Sequence, residues 1–231
     1  MPSLAPSLPD DLTACVRTAL TEDLGSGDVT ASLIDPARQS VAQVICRENA
    51  VLAGSPWFDE VFKQLNHGVG VSWQVADGEQ INADTVVCEL RGAAHSIVTG
   101  ERTALNFLQT LSATATATRR YVDALAGTTT RILDTRKTIP GLRAAQKYAV
   151  RCGGGKNHRM GLFDAVLIKE NHITAAGSIQ AAIDTVRARH PALKVEVEVE
   201  SMDELHAAIS ARADMVLLDN FSVAAIREAT A

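Results

Sequence analysis

Aromatic residues are scarce in this sequence of 231 residues, with Phe, Trp and Tyr together making up 4%. A core with so few rings is expected to be mainly aliphatic, and a hydrophobic fraction of 46% supplies the side chains for it. That balance suits parallel strands covered by helices, which favour Val, Ile, Leu and Ala. Long hydrophobic runs are missing as well, which excludes a bilayer-spanning helix. Met1–Asp11 lacks the basic start and apolar stretch of a secretory signal, so the expected location is the cytoplasm. Cysteine is sparse and scattered, at Cys15, Cys46, Cys88 and Cys152. No pair has metal-ligand or redox spacing, and reduced thiols in a cytosolic protein are the expected reading. Excess positive charge is also lacking. A net charge of −5 argues against a nucleic-acid partner.

The distribution of charge says more than its sum. Of 22 Lys and Arg, nine fall between Arg131 and Lys169, a span that holds only two of the 27 Asp and Glu. A cationic island in an acidic chain is a place to hold an anion. Because it repels itself, stability alone would not assemble it; the plain alternative is a solvated basic face.

Hydrophobic periodicity divides the chain in two. Residues 1–126 read as α+β: helix Leu8–Leu24, strand Val41–Cys46, helix Pro56–Leu65, strands Val69–Val75 and Val86–Leu90, and a long helix Ser96–Leu125. Residues 127–231 change rhythm. Strands are expected at Arg131–Leu133, Ala165–Ile168, Val195–Val199 and Met215–Leu218. Helices are expected at Ile179–Arg189, Met202–Ala211 and Val223–Ala229. Repeated strand–helix units mean a parallel sheet, open or closed into a barrel.

In such folds the reactive groups gather at the carboxyl ends of the strands. The four expected strand ends all carry polar or charged groups. Arg131–Leu133 runs into Asp134-Thr135-Arg136-Lys137, and Ala165–Ile168 into Lys169-Glu170-Asn171-His172. Val195–Val199 carries Glu196, Glu198 and Glu200, and Met215–Leu218 runs into Asp219-Asn220. Two cationic and two anionic ends predict one mouth for a polyanion with a metal or sugar. Valines 195, 197 and 199 should face helices, and the alternating glutamates the other side. The loop Cys152-Gly153-Gly154-Gly155-Lys156-Asn157-His158-Arg159 is either a flexible turn or a place where backbone N–H groups approach an anion. Its spacing is not that of a dinucleotide fingerprint.

The segments ERTALNFLQ (101–109), DTRKTIPGLR (134–143), KYAVRCGGGKNHRMGLFDAVLIKENH (147–172), VEVEVES (195–201) and VLLDNF (216–221) resemble the quinolinate phosphoribosyltransferase family in order and spacing. The resemblance implies an N-terminal α/β sandwich, here residues 1–126, followed by an incomplete parallel α/β barrel of six strands, about four of them within residues 127–231. It implies transfer of the phosphoribosyl group from phosphoribosyl pyrophosphate to quinolinate with decarboxylation. The products would be nicotinate mononucleotide, pyrophosphate and CO2, in NAD biosynthesis. It also implies a homodimer, or a higher oligomer, whose active site is completed by the partner. The further barrel strands expected for the family, and their donor-phosphate loops, fall beyond Ala231.

Quinolinate carries two carboxylates, and planar Arg forks bind carboxylates with a geometry that Lys cannot reproduce. Arg136 and Arg159 fit that need on chemistry alone, with Lys137 and His158 beside them. The resemblance assigns Arg102, Thr135, Arg136, Lys137, His158, Arg159 and Lys169 to substrate binding. Sequence alone would leave Arg102 as a solvent-facing helix arginine. The resemblance also places Glu198 and Asp219 on the ribose hydroxyls and on the Mg²⁺ that accompanies the donor. Two acids suffice, because Mg²⁺ is usually held by one or two carboxylates plus phosphate oxygens and water. Lys137, Lys169, Glu198 and Asp219 form the expected catalytic set. No Ser-His-Asp or Cys-His arrangement suggests a covalent intermediate. The competing readings are a related phosphoribosyltransferase that uses another pyridine acid such as nicotinate, a metal-uptake-associated homologue, and a non-catalytic dimerisation or binding fragment.

Overall fold

The computed structural model describes residues 6–231; of the segment Met1–Asp11, residues 1–5 lie outside the described part. The chain separates into two compact units, up to His158 and from Arg159 onward.

The first unit is built around an antiparallel sheet and a long helix. Strands β1 (Gln39–Cys46), β3 (Gly70–Trp73) and β5 (Thr85–Ala93) pair in the order β1-β5-β3. Two short strands, β2 (Ala50–Val51) and β4 (Gln80–Ile81), form a separate antiparallel pair. Helix α1 (Leu12–Leu24), helix α2 (Ser55–Leu65) and the 31-residue helix α3 (Ala94–Ala124) complete the packing. The few aromatic residues concentrate here, where an aliphatic core was expected. The rings of Trp57 and Tyr148 meet edge-on at 5.1 Å, and Phe58 contacts Phe62 at 5.3 Å and Trp73 at 5.2 Å. Trp57, Phe58, Val61 and Phe62 come from one face of α2 and are fully buried. Rings fill large volumes with few torsions to freeze, so a handful suffices to anchor one core.

Helix α4 (Arg143–Cys152) closes this unit and went unpredicted. Its buried residues Ala145, Tyr148, Ala149 and Cys152 recur at helical spacing. The Pro140-Gly141 turn before it and the glycines after it mask that pattern. Tyr148 ties the helix to the core by donating from its hydroxyl to Asp77 Oδ2 at 2.8 Å. Asp77 in turn accepts the backbone N–H groups of Gly54 (2.8 Å) and Ser55 (3.2 Å) at the start of α2.

The second unit is a parallel sheet, β6 (Val166–Ile168), β7 (Val195–Val199) and β8 (Met215–Leu218), paired in that order. Helices α5 (Glu170–Ala176), α6 (Ile179–Arg189), α7 (Met202–Ser210) and α8 (Val223–Ala229) connect and follow the strands. Three helices begin with a serine whose hydroxyl accepts an N–H of the first turn: Ser178 from Ala181, Ser201 from Glu204 and Ser222 from Ala225. The core here is aliphatic, as expected: Val195, Val197 and Val199 are fully buried with Ile183, Leu205 and Ala208. Opposite the valines, Glu196 is buried, Glu198 half-buried and Glu200 exposed, so this face opens toward the end of the strand.

The sheet therefore holds three parallel strands, where four were expected. Arg131–Leu133 is not a strand. Leu133 makes only an isolated parallel bridge to Lys156. Lys156 donates to Ile132 O at 2.8 Å and accepts from Asp134 N at 3.1 Å. A single loop residue offers no more backbone than this, so the ladder cannot extend.

Candidate active site

Apart from Arg102, the expected site residues are divided between the two units. In the first, the turn Thr135-Arg136-Lys137 is closed by its own side chain, since Thr135 Oγ1 accepts the N–H of Lys137 at 2.9 Å. Arg143 of α4 braces the turn through Thr138 Oγ1 (3.1 Å) and Arg136 O (3.4 Å). The turn leaves Thr135 and Lys137 exposed and Arg136 half-buried. Arg136 Nε is buried without a hydrogen-bond partner. A buried donor without an acceptor is costly, and such groups recur where a ligand supplies the missing partner.

Beside this turn lies a feature that sequence reasoning missed. Asp134 and Lys147 form a salt bridge whose side chains are 6% and 2% exposed. Asp134 also accepts from His158 N through Oδ1 at 2.8 Å and from Asn157 Nδ2 through Oδ2 at 2.6 Å. Lys147 Nζ donates to His158 O at 3.1 Å, and its main-chain carbonyl accepts from Asn157 Nδ2 at 2.9 Å. The two partners are 13 residues apart, so only the fold of α4 against the turn reveals them.

The glycines of the 152–159 loop have a packing cause. A Cβ on Gly153 would lie 2.5 Å from the carbonyl oxygen of Ala115 and 2.6 Å from Thr118 Cβ, both on α3. On Gly155 it would meet Val150 Cγ1 at 2.7 Å and Thr118 Cγ2 at 2.9 Å. Gly154 instead requires φ +93°, which side chains rarely adopt. Two glycines thus let the loop approach α3 and the third turns it, which delivers Asn157 and His158 to Asp134. Arg102 lies exposed on α3 and makes no hydrogen bond or ion pair among the described residues. A cavity of about 820 Å³ lies between α3 and the sheet, is mostly apolar in lining and includes none of the expected site residues.

In the second unit, strand register builds the site. Ile168 of β6 pairs with Val197 of β7, so Lys169 falls level with Glu198, and Lys169 Nζ reaches Glu198 Oε2 at 2.5 Å. Asp219 follows β8, its N–H donating to Val199 O at 2.9 Å and its Oδ2 accepting from Asn220 Nδ2 at 3.2 Å. Arg159 is half-buried and its guanidinium reaches Ala165 O at 3.4 Å. Among the described residues no cluster of three or more His, Cys, Asp and Glu could hold a metal ion by itself. Glu198 and Asp219 suit a cation that arrives already coordinated by phosphate oxygens. The four cysteines are all free. No described helix is long and apolar enough to cross a membrane.

An α/β protein with a cationic turn in one unit, and with a strand-end lysine, an arginine and two carboxylates in the other, carries in each unit groups suited to charged ligands. The comparisons make this particular. The family model for the quinolinate phosphoribosyl transferase N-terminal domain matches residues 28–112, and that for its C-terminal domain residues 114–231. The chain belongs to this family. It is 45% identical over 214 residues to a nicotinate-nucleotide pyrophosphorylase [carboxylating] of Mycobacterium leprae, covering 90% of this chain and 75% of that protein. The human protein of the same name is 42% identical over 216 residues, covering 92% of this chain and 72% of that one. A solved nicotinate-nucleotide pyrophosphorylase from Francisella tularensis superposes with a TM-score of 0.92 at 46% identity, covering 99% of this chain and 81% of that chain.

Proposed function

We propose that this chain catalyses the reaction of its family. Quinolinate and phosphoribosyl pyrophosphate give nicotinate mononucleotide, pyrophosphate and CO2, a step of NAD biosynthesis. The pyridine nitrogen forms a bond to the ribose C1 while the bond from C1 to pyrophosphate breaks. The carboxylate next to the nitrogen then leaves as CO2, and its bonding pair takes up a proton on the ring. The observation that carries this reading is Arg136, whose buried Nε lacks an acceptor on a turn shared with exposed Lys137. A carboxylate is the ligand that a guanidinium fork satisfies best.

Arg136, Arg159, His158, Lys137 and Lys169 take the two carboxylates of quinolinate, with Thr135 beside them. Glu198 and Asp219 take the ribose hydroxyls and the Mg²⁺ that enters with the donor. The positive charge that develops on the sugar is met by the same carboxylates, and no covalent enzyme intermediate is needed. Lys169 paired with Glu198 supports this assignment, because it links a cation for the acid to a carboxylate for the sugar. The three-stranded parallel sheet we assign to an α/β barrel spanning the catalytic part from residue 127 onward. The exposed, unpaired Arg102 supports a homodimer in which it serves the partner's site. Free thiols and the lack of a membrane-crossing helix among the described residues are consistent with action in the cytoplasm.

The test is pyrophosphate release from phosphoribosyl pyrophosphate and Mg²⁺. Release should require quinolinate. Equal release with nicotinate would point to a monoacid substrate, and none with either would leave a binding protein.

A further inference from the structure

The Asp134–Lys147 pair is nearly inaccessible, with side chains 6% and 2% exposed, so neither residue can touch a substrate. Yet all its remaining bonds go to the segment that carries His158. One carboxylate oxygen takes the N–H of His158 at 2.8 Å, and the ammonium takes the carbonyl of the same residue at 3.1 Å. The other carboxylate oxygen takes the Asn157 amide at 2.6 Å. The main chain of His158 is thus gripped on both sides by the two halves of one buried ion pair. Asp134 is also the residue that enters the Thr135-Arg136-Lys137 turn.

Buried ion pairs contribute little net stability, because desolvation offsets their attraction, and they are best explained where they fix one geometry.

We propose that Asp134 and Lys147 are positioning residues for the acid pocket, clamping the backbone of His158 so that its side chain and the neighbouring turn are held ready for the substrate's carboxylates. This role rests on the reading of these residues as the quinolinate site.

The decisive variant is the double substitution Asp134→Asn/Lys147→Met. It leaves no uncompensated buried charge and keeps the volumes close, so the protein should fold, but it removes the lysine jaw and replaces a carboxylate that accepts from three donors by an amide with a single acceptor oxygen. The KM for quinolinate should rise on the order of tenfold or more, the scale expected when a supporting contact lets a binding group drift. The KM for phosphoribosyl pyrophosphate should stay within about threefold. The imidazole signals of His158, identified in the unmodified protein by their loss in His158→Gln, should shift or broaden in the double variant.

Should the double variant fail to fold, Asn157→Ala removes one exposed anchor of the same clamp and should raise the quinolinate KM alone, by a smaller factor. A folded variant with unchanged quinolinate KM and unchanged His158 signals would overturn the clamp, as would an equal rise in both KM values. If the unmodified protein showed no quinolinate-dependent release of pyrophosphate, the reading of the site would fail and this role with it. The His158 spectra separate that outcome from a clamp that is simply not there.

Discussion

Substituting Gly153 by alanine separates two explanations of the glycine-rich loop by the sign of its effect. Gly153 has φ −69° and ψ −7°, an ordinary right-handed conformation that alanine adopts freely. If backbone freedom were the only issue, Gly153→Ala would stabilise the protein by roughly 0.4–1 kcal/mol, through loss of freedom in the unfolded chain. The geometry predicts the opposite. The new methyl would sit 2.5 Å from the Ala115 carbonyl oxygen and 2.6 Å from Thr118 Cβ, and neither is the end of a flexible side chain. Forcing a methyl into a packed interior costs about 1–3 kcal/mol. Net of the entropic gain, a loss of about 1–2 kcal/mol remains, or a fall in Tm of several degrees. Gly154→Ala should also destabilise, but through its φ of +93° and not by contact, since its nearest neighbour is Val122 Cγ1 at 3.4 Å. It should match Gly127→Ala, where φ is +83° and nothing lies within 4 Å. Urea unfolding followed by tryptophan fluorescence is suited to this test, because both tryptophans, Trp57 and Trp73, lie in the first unit. A Gly153→Ala protein as stable as the parent, or more so, would refute the packing account. The loop's glycines would then have to be explained by a ligand.

Arg136→Ala and Arg159→Ala should each weaken quinolinate binding by about 2–5 kcal/mol, as expected for a desolvated charge pair; calorimetry showing parent-like affinity in both would move the acid pocket elsewhere. Arg102→Ala mixed with Lys169→Ala should recover activity in heterodimers if each site borrows Arg102 from the other subunit, and verified heterodimers that stay inactive would count against sharing. Glu198→Gln and Asp219→Asn should impair use of the donor across a magnesium series more than they impair quinolinate binding, and equal loss for both substrates would remove the two acids from that role. Burial pushes the thiols of Cys88 and Cys152 from 9.0 up to about 12. Only the thiolate reacts, so at pH 8 both should resist maleimide in the native protein and react in urea. Because these values are raised, any stability they confer is complete below pH 9 and fades as the pH climbs toward 12. Fast native labelling of Cys152 would show that α4 opens readily.

What the sequence disclosed follows from the range over which each signal acts. In the second unit the boundaries of β7, β8, α6 and α8 were legible to the residue. There β8 is an aliphatic run, β7 a strict alternation of valine and glutamate, and helices α6, α7 and α8 start at serine caps, so the information lies within a few adjacent residues. Helix α4 was not legible. Its buried face is made of Ala145, Ala149 and Cys152 around one tyrosine, small residues that give a faint periodic signal between two glycine-bearing turns. The missing strand at Arg131–Leu133 failed for a complementary reason. Its local sequence is compatible with a strand, but a ladder needs a neighbour, and the neighbour is a single residue, Lys156.

The site divides along the same line. Lys169 beside Glu198 could be anticipated once their strands were placed in parallel, because register alone sets them level. The Asp134–Lys147 pair could not, since an ion pair across 13 residues depends on how α4 folds back on the turn. The glycines are the instructive intermediate case. Their presence was visible, and the sequence left open a flexible turn or an anion cradle; packing against a helix was not among those readings. What they approach, however, is α3, a helix more than thirty residues earlier, and this contact sets the path of the chain into Asn157 and His158. A residue type therefore limits what a position can do, and the partner decides what it does. In the first unit the cationic turn is positioned by a threonine hydroxyl, by Arg143 and by a loop that two glycines let pack on α3. The one aspartate beside that turn is neutralised by Lys147, so it does not cancel the cations that the turn presents.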